Sequence, residues 1–314
     1  MTVRVSAVIG LALLTGCAGE VVGVTSSPIT TTSNVPASGP LHAVVPDRPL
    51  LAQGSVEGGD HLFVSAAASV DDVVYAYIIG FSENESRVMV MSWGEDNHVI
   101  RADPGVDGLG LDLEYPGPMP TSVIRQRDGT WVMHGFGVPA SPGATPVFWR
   151  AVSDSPTGPW HDPSIVYEVG GTGAWDGAWI DFPGVFTTGE GLIMLYEGAS
   201  DAEPDSSHLG IVASTDGITW DRPASPAVSP DDCEDVVSIR MPRLLAVEEG
   251  WLLAFSAITG RDEEPTIRLA TGQDPPRHFC AGAEVALSAD DLPDSGGIHS
   301  YALIQAGSGP ALLV

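Results

Sequence analysis

Apolar positions along the chain come in short runs broken by turns, and no segment sustains helical spacing. Val73-Val-Tyr-Ala-Tyr-Ile-Ile79, Thr130-Trp-Val-Met-His134, Gly191-Leu-Ile-Met-Leu-Tyr196 and Gly250-Trp-Leu-Leu-Ala-Phe255 are runs of strand length, each following a charged or glycine-bearing turn. Aligned on Val74, Trp131, Leu192 and Trp251, they recur at spacings of 57, 61 and 59 residues. Another strand precedes each run: 66–70, 120–125, 180–186 and 239–245. After each comes a strand that turns and returns on an aromatic or apolar residue. The clearest copies are Arg150-Ala-Val-Ser-Asp-Ser-Pro-Thr-Gly-Pro-Trp160 and Ile211-Val-Ala-Ser-Thr-Asp-Gly-Ile-Thr-Trp220; 268–279 is a worn copy and 88–99 a divergent one. In this unit a Ser or Thr hydroxyl is expected to bond the turn backbone while the aromatic seals the turn.

A fifth first-strand copy appears at Ile298-His-Ser-Tyr-Ala-Leu-Ile304, followed by Pro310-Ala-Leu-Leu-Val314. Four full copies and a truncated fifth predict an all-β chain, a five-bladed β-propeller of four-stranded blades. On this reading the segment 42–51 supplies outer strands to the last blade. The 37 glycines and 26 prolines fit a chain dense in turns.

Ahead of the repeats, Arg4 is followed by a small and apolar stretch from Val5 to Leu14, then Leu14-Thr-Gly-Cys17. The stretch is too short to span a bilayer as a mature helix, and the tetrapeptide resembles the bacterial lipobox. Residues 1–16 are therefore expected to be a lipoprotein signal peptide, with Cys17 lipid-modified. Residues 17–40, rich in Thr, Ser, Val and Pro, read as a disordered tether, and 41–314 as the propeller domain. The expected location is the cell envelope, lipid-anchored and extracytoplasmic. Beyond Cys17 only Cys233 and Cys280 remain; they flank one repeat, and export favours a disulfide between them, with metal ligation as the alternative.

The formal net charge is -28, and all 13 basic residues are Arg. Such a surface repels polyanions, which argues against a nucleic-acid partner. The chain holds no zinc motif, phosphate loop, dinucleotide fingerprint or nucleophilic-serine motif, so neither a metal nor a cofactor is expected.

The segments Ala151-Val-Ser-Asp-Ser-Pro-Thr-Gly-Pro-Trp160, Ile180-Asp-Phe-Pro-Gly-Val-Phe186 with Leu192-Ile-Met-Leu-Tyr196, and Ser214-Thr-Asp-Gly-Ile-Thr-Trp220 resemble the five-bladed propeller glycosidases. That group includes arabinanases, β-xylosidases, fructan hydrolases and mannoside phosphorylases. The resemblance implies a monomeric domain that acts on or recognises a neutral glycan in a central pocket lined by the first strand of each blade. It also implies three carboxylates: a base in the first blade, an orienting Asp in a middle blade and an acid further on. Asp181 fits the middle position. The base position has no good match, with Asp60 or Glu114 as substitutes. Where the acid is expected the chain has Arg240-Met-Pro242.

Glu197 is either a displaced acid or a solvent-facing residue before a loop. Matching Pro183 to Pro242 places Asp181, Arg240 and His299 at equivalent inward positions, with Ala66 and Pro118 in the first two blades. Arg240 beside Asp181 is expected to hold that carboxyl ionised. Trp175, Asp176 and Trp179 are candidates for sugar contact, against a packing role for the tryptophans. The missing carboxylates leave open a non-catalytic glycan-binding or interaction propeller.

Overall fold

The computed structural model describes residues 61–71, 73–81, 86–93, 100–247, 250–260, 264–272, 284–288, 300–306 and 309–313. The signal peptide, tether, Cys17, 42–51, Asp60, Cys280 and His299 lie outside the described residues.

Within them the chain is nearly all strand, with only two short 3-10 turns, Val106–Leu109 and Pro230–Asp232. Strands follow one another as antiparallel meanders. The first sheet is β1 (His61–Val70), β2 (Val73–Phe81), β3 (Ser86–Trp93) and β4 (Ile100–Ala102); the second is β5 (Leu113–Arg125), β6 (Trp131–Pro139), β7 (Val147–Ser153) and β8 (His161–Glu168). The third holds β9 (Trp179–Thr187), β10 (Leu192–Ser200) and β11 (Glu203–Ser214). The fourth is β12 (Ser238–Val247), β13 (Gly250–Ile258), β14 (Thr266–Gly272) and β15 (Glu284–Leu287), and the last is β16 (Ala302–Ala306) with β17 (Gly309–Leu313).

The expected four strands per sheet are therefore seen in three sheets; among the described residues the third has three and the fifth two. In the third sheet the fourth strand shrinks to a single bridge, Leu209 to Val228. The segment after Trp220 carries Pro223, Pro226 and Pro230, which have no N–H to give a ladder.

The first strands meet in sequence, β1 with β5, β5 with β9, β9 with β12 and β12 with β16, and β16 returns to β1. Polar side chains tie this ring. Thr121 Oγ1 donates to the Pro183 carbonyl at 2.6 Å and Ser122 Oγ to Val185 at 3.0 Å; Ser207 Oγ donates to Ile239 at 2.6 Å, and Val64 N donates to Ser300 Oγ at 2.9 Å. Between sheets the core is apolar and aromatic: Trp149, Phe148 and Tyr196 are wholly buried between the second and third sheets, while Leu195, Ile239 and Phe255 pack between the third and fourth.

The hairpin turns work as their residues suggest. Ser214 Oγ accepts from Gly217 N at 2.8 Å, Asp216 Oδ1 accepts from Ile218 N and Thr219 N at 2.8 Å each, and Gly217 takes φ +71, which a glycine adopts without strain. These donors hold the Asp216 carboxyl down at about 2. Trp131, Trp160 and Trp220 are buried, so their repeat-equivalent positions serve packing.

Candidate active site

Pro183 and Pro242 each remove one ladder donor from a first strand, and the strand bulges there. Pairing of β9 with β10 steps from Gly184↔Leu195 to Asp181↔Glu197; pairing of β12 with β13 steps from Arg243↔Ala254 to Arg240↔Ser256. In both cases two residues on the inner strand oppose one on its neighbour. Phe182 and Met241 absorb the bulge with φ +46 and +49. Left-handed backbone at a non-glycine residue costs roughly 1–3 kcal/mol and collects at functional sites. The first two sheets bulge at Ser65 and Thr121, with Val64 and Pro120 just before the shifts. The inward equivalents in those sheets are thus offset from the expected Ala66 and Pro118, because the bulges differ in size.

These bulges assemble a cluster. Asp181 and Glu197 are direct partners on antiparallel strands, an arrangement that brings Cα atoms to about 4.5–5.5 Å. Asp181 is half-buried at the surface of the site, yet densely surrounded by protein, and Phe182 N donates to its Oδ1 at 2.9 Å. Glu197 is only 2% exposed, so it is not a solvent-facing residue. Its carboxyl accepts from the Met241 amide, while Oε2 has no protein partner.

Arg243, three residues beyond Arg240, is buried at the centre of the ring. Its Nη2 donates to the Ser65 carbonyl and its Nη1 to the Pro242 carbonyl, both at 3.1 Å; Nε has no partner. The guanidinium lies 5.7 Å from the Phe182 ring and 5.9 Å from that of Tyr301, whose hydroxyl donates to Met241 O at 2.6 Å. Phe182 in turn stacks on Phe63 at 6.1 Å and tilts against Phe136 at 5.1 Å. Beneath this cluster a cavity of about 40 Å³ is lined by one or more residues from every first strand, among them Ala67, Thr121, Gly184, Arg243 and Ala302.

Charge in the cluster differs from the sequence expectation. Burial pushes the Asp181 carboxyl up to about 7, against the opposing pull of the Phe182 N–H, Arg240 and Arg243. Arg240 therefore does not hold Asp181 below the ordinary carboxylate range: its side chain is exposed, where water screens it, and desolvation wins. Glu197 is raised well above the usual range, first by burial and then by the Asp181 charge. Two carboxyls this close do not both ionise near neutrality, and the more buried Glu197 keeps the proton. The pair thus offers a proton donor beside a carboxyl that ionises near neutral pH, which is the division of labour of acid–base catalysis.

The other candidates fall elsewhere. Tyr196 and Glu197 are consecutive on β10 and point to opposite faces. Asp176 lies on the Tyr196 side, wholly buried; it accepts from Tyr196 Oη at 2.8 Å and pairs with Arg222, which stacks 4.2 Å over Tyr167. That is a packing network between sheets. Trp175 belongs to it, 5.5 Å from the Tyr196 ring. Trp179, half-buried two residues before Asp181, donates from Nε1 to Pro204 O at 2.9 Å and presents a ring on the Asp181 side of β9. Glu114 is exposed at the far end of β5. His134 is buried with both ring nitrogens unpaired, and burial lowers it to about 3, so it stays neutral. Among the described residues no group of three or more His, Cys, Asp or Glu side chains gathers to hold a metal ion.

Sequential antiparallel sheets whose first strands close a ring around a polar cluster define a β-propeller. Several solved structures that it resembles are glycoside hydrolases. An α-L-arabinofuranosidase from Clostridium thermocellum aligns at TM-score 0.57 and 12% identity, over 81% of this chain and 82% of that one. An α-L-arabinofuranosidase from Podospora anserina, solved with cellotriose, aligns at TM-score 0.57 and 13% identity over 86% and 82%. Sucrose-6-phosphate hydrolase from Lactobacillus gasseri aligns at TM-score 0.54 and 14% identity; 79% of this chain is covered, but only 54% of the hydrolase, about half its length. At such identities the likeness is one of fold. No family model matches the chain, and no curated protein matches it in sequence.

Proposed function

We propose that this chain is a five-bladed propeller glycoside hydrolase, exported and lipid-anchored, whose chemistry is carried by Asp181 and Glu197. The supporting observation is the pair of carboxyls that face each other across β9 and β10, both pushed above the ordinary carboxylate range by burial. Glu197 donates its proton to the glycosidic oxygen as the bond to the anomeric carbon breaks. Asp181 bonds to that carbon as the leaving oxygen departs; a water that gives its proton to Glu197 then displaces Asp181, which restores both carboxyls. Retaining glycosidases use two closely spaced carboxyls in these roles, and the two here are cross-strand neighbours. Asp181 is thus the nucleophile; Asp60, outside the described residues, is the remaining candidate for a third carboxylate. Trp179 offers a stacking face for a sugar ring.

The test is turnover of an aryl-glycoside panel of arabinosyl, xylosyl, fructosyl and mannosyl substrates. Wild type should hydrolyse at least one, and Glu197→Gln and Asp181→Asn should each lower kcat by about 100-fold or more, the scale of general acid–base catalysis. A wild type inert on all of them, or variants that keep full rate, would contradict the assignment.

Export is supported by the sequence at residues 1–17. Cys17→Ser should release the protein from the detergent phase; unchanged partitioning would refute the anchor. A Cys233–Cys280 disulfide is supported by the burial of Cys233 against the fourth sheet. Linked peptides in unreduced mass spectra are the expected result, and two alkylatable thiols the contrary one.

A further inference from the structure

Building on the glycosidase reading of the same site, we infer that its sugar is an acidic one, bearing a carboxylate that Arg240 receives.

Arg240 is fixed by its backbone on both sides: its carbonyl accepts from Tyr301 Oη at 3.5 Å, and the next amide, Met241, donates to Glu197. The side chain nevertheless stays exposed. It acts electrostatically on both Asp181 and Glu197, but among the described residues it forms neither an ion pair nor a hydrogen bond. A guanidinium is a rigid planar fork of five donors, and a carboxylate is the group that fits it two bonds at a time. Here a guanidinium fork on an anchored stretch of backbone stands at the edge of the site with its donors available.

The local charge count agrees. Arg240 and Arg243 are both cationic, since arginine does not lose its proton in proteins. Asp181 and Glu197, side by side, carry at most about one negative charge between them near neutrality. The cluster is therefore net positive, and it attracts a carboxylate more than a neutral hydroxyl. The -28 of the whole chain does not decide the matter, because salt screens charge beyond about 8 Å, so within the site the four neighbouring groups prevail. The neutral glycan expected from the family resemblance is replaced on this account by a uronic acid.

Matched substrates test this directly: aryl glucuronides and galacturonides against the aryl glucosides and galactosides that differ only at C6, with calorimetric binding of the corresponding disaccharides. The acidic member of each pair should be preferred at least tenfold in kcat/KM or Kd. Arg240→Gln should cost the acidic ligand roughly 10- to 100-fold, the scale of a charged hydrogen bond, and erase the preference, while Arg240→Lys should keep part of it. A preference for the neutral member, or a ratio that Arg240→Gln leaves unchanged, overturns the inference. If neutral glycosides are hydrolysed without any preference for the acid, the inference falls and the glycosidase reading stands. If uronides bind in an Arg240-dependent way with no hydrolysis, the reverse holds, and if nothing binds or turns over, both fall.

Discussion

Replacing Asp181 with Asn should stabilise the protein, and only above mildly acid pH. An acid whose folded pKa is raised contributes stability at low pH that is lost as pH climbs from the unfolded value to the folded one. For Asp181 that window runs from 3.8 to about 7. At about 1.36 kcal/mol per unit, the ionised group costs the fold roughly 4 kcal/mol once pH exceeds the window. Asn removes that cost and can still accept the Phe182 N–H, so a gain of about 2–4 kcal/mol is expected at pH 8. In a domain of this size 1 kcal/mol moves Tm by about 2–4 °C, which gives a rise of about 4–16 °C. Near pH 4 the folded wild type carries Asp181 neutral and the unfolded chain is only half ionised, so the two proteins should melt almost together. Glu197 acts in the same direction and relaxes further when the neighbouring charge is gone. Thermal melts of both proteins between pH 4 and 8 make the measurement. An Asp181→Asn variant that melts lower than wild type at pH 8, or by the same margin at every pH, would refute the reasoning.

Two further changes probe the scaffold. Asp176→Asn removes a wholly buried charge from Arg222, whose own side chain is 32% exposed and can recover water; the expected loss is about 3 kcal/mol, and a double-mutant cycle with Arg222→Met should show the two effects to be strongly non-additive. A loss below about 1 kcal/mol would mean that the network contributes little. Gly135→Ala places a Cβ 2.1 Å from the Met119 carbonyl and 2.5 Å from the Trp149 ring, so overpacking should cost about 3 kcal/mol or more and be plain in urea unfolding. Wild-type stability in that variant would show that β5 and β6 are not packed as described.

The repeats were legible in the sequence because their turn chemistry is local: Ser214 and Ser153 each accept the amide two residues on, and Trp220 and Trp160 are each buried after the turn. Strand lengths were less legible. β5 begins at Leu113, well before the expected 120, because a second register shift between Glu114 and Met119 lets pairing continue across prolines. That Asp181 and Glu197 stand on the first and second strands of one sheet followed from strand order. The burial of Glu197 did not, since a carboxylate at a strand end before a polar loop reads equally well as exposed. Arg243 was missed for a related reason: the match of Pro183 to Pro242 pointed to Arg240, and only the two-residue bulge reveals that the arginine beyond the proline turns inward. Phe63 and Tyr301 escaped notice because nothing local marks an aromatic that meets its partners from another sheet.

The central claim is that the pair Asp181 and Glu197 contacts the reacting sugar. It is tested most directly by a crystal structure of the Glu197→Gln variant soaked with an oligosaccharide that the wild type cleaves. The account predicts a sugar ring seated beside Asp181, its glycosidic oxygen within hydrogen-bond reach of the residue 197 side chain and its far edge toward Arg240. A ring bound on another face of the propeller, with Asp181 untouched, would contradict it.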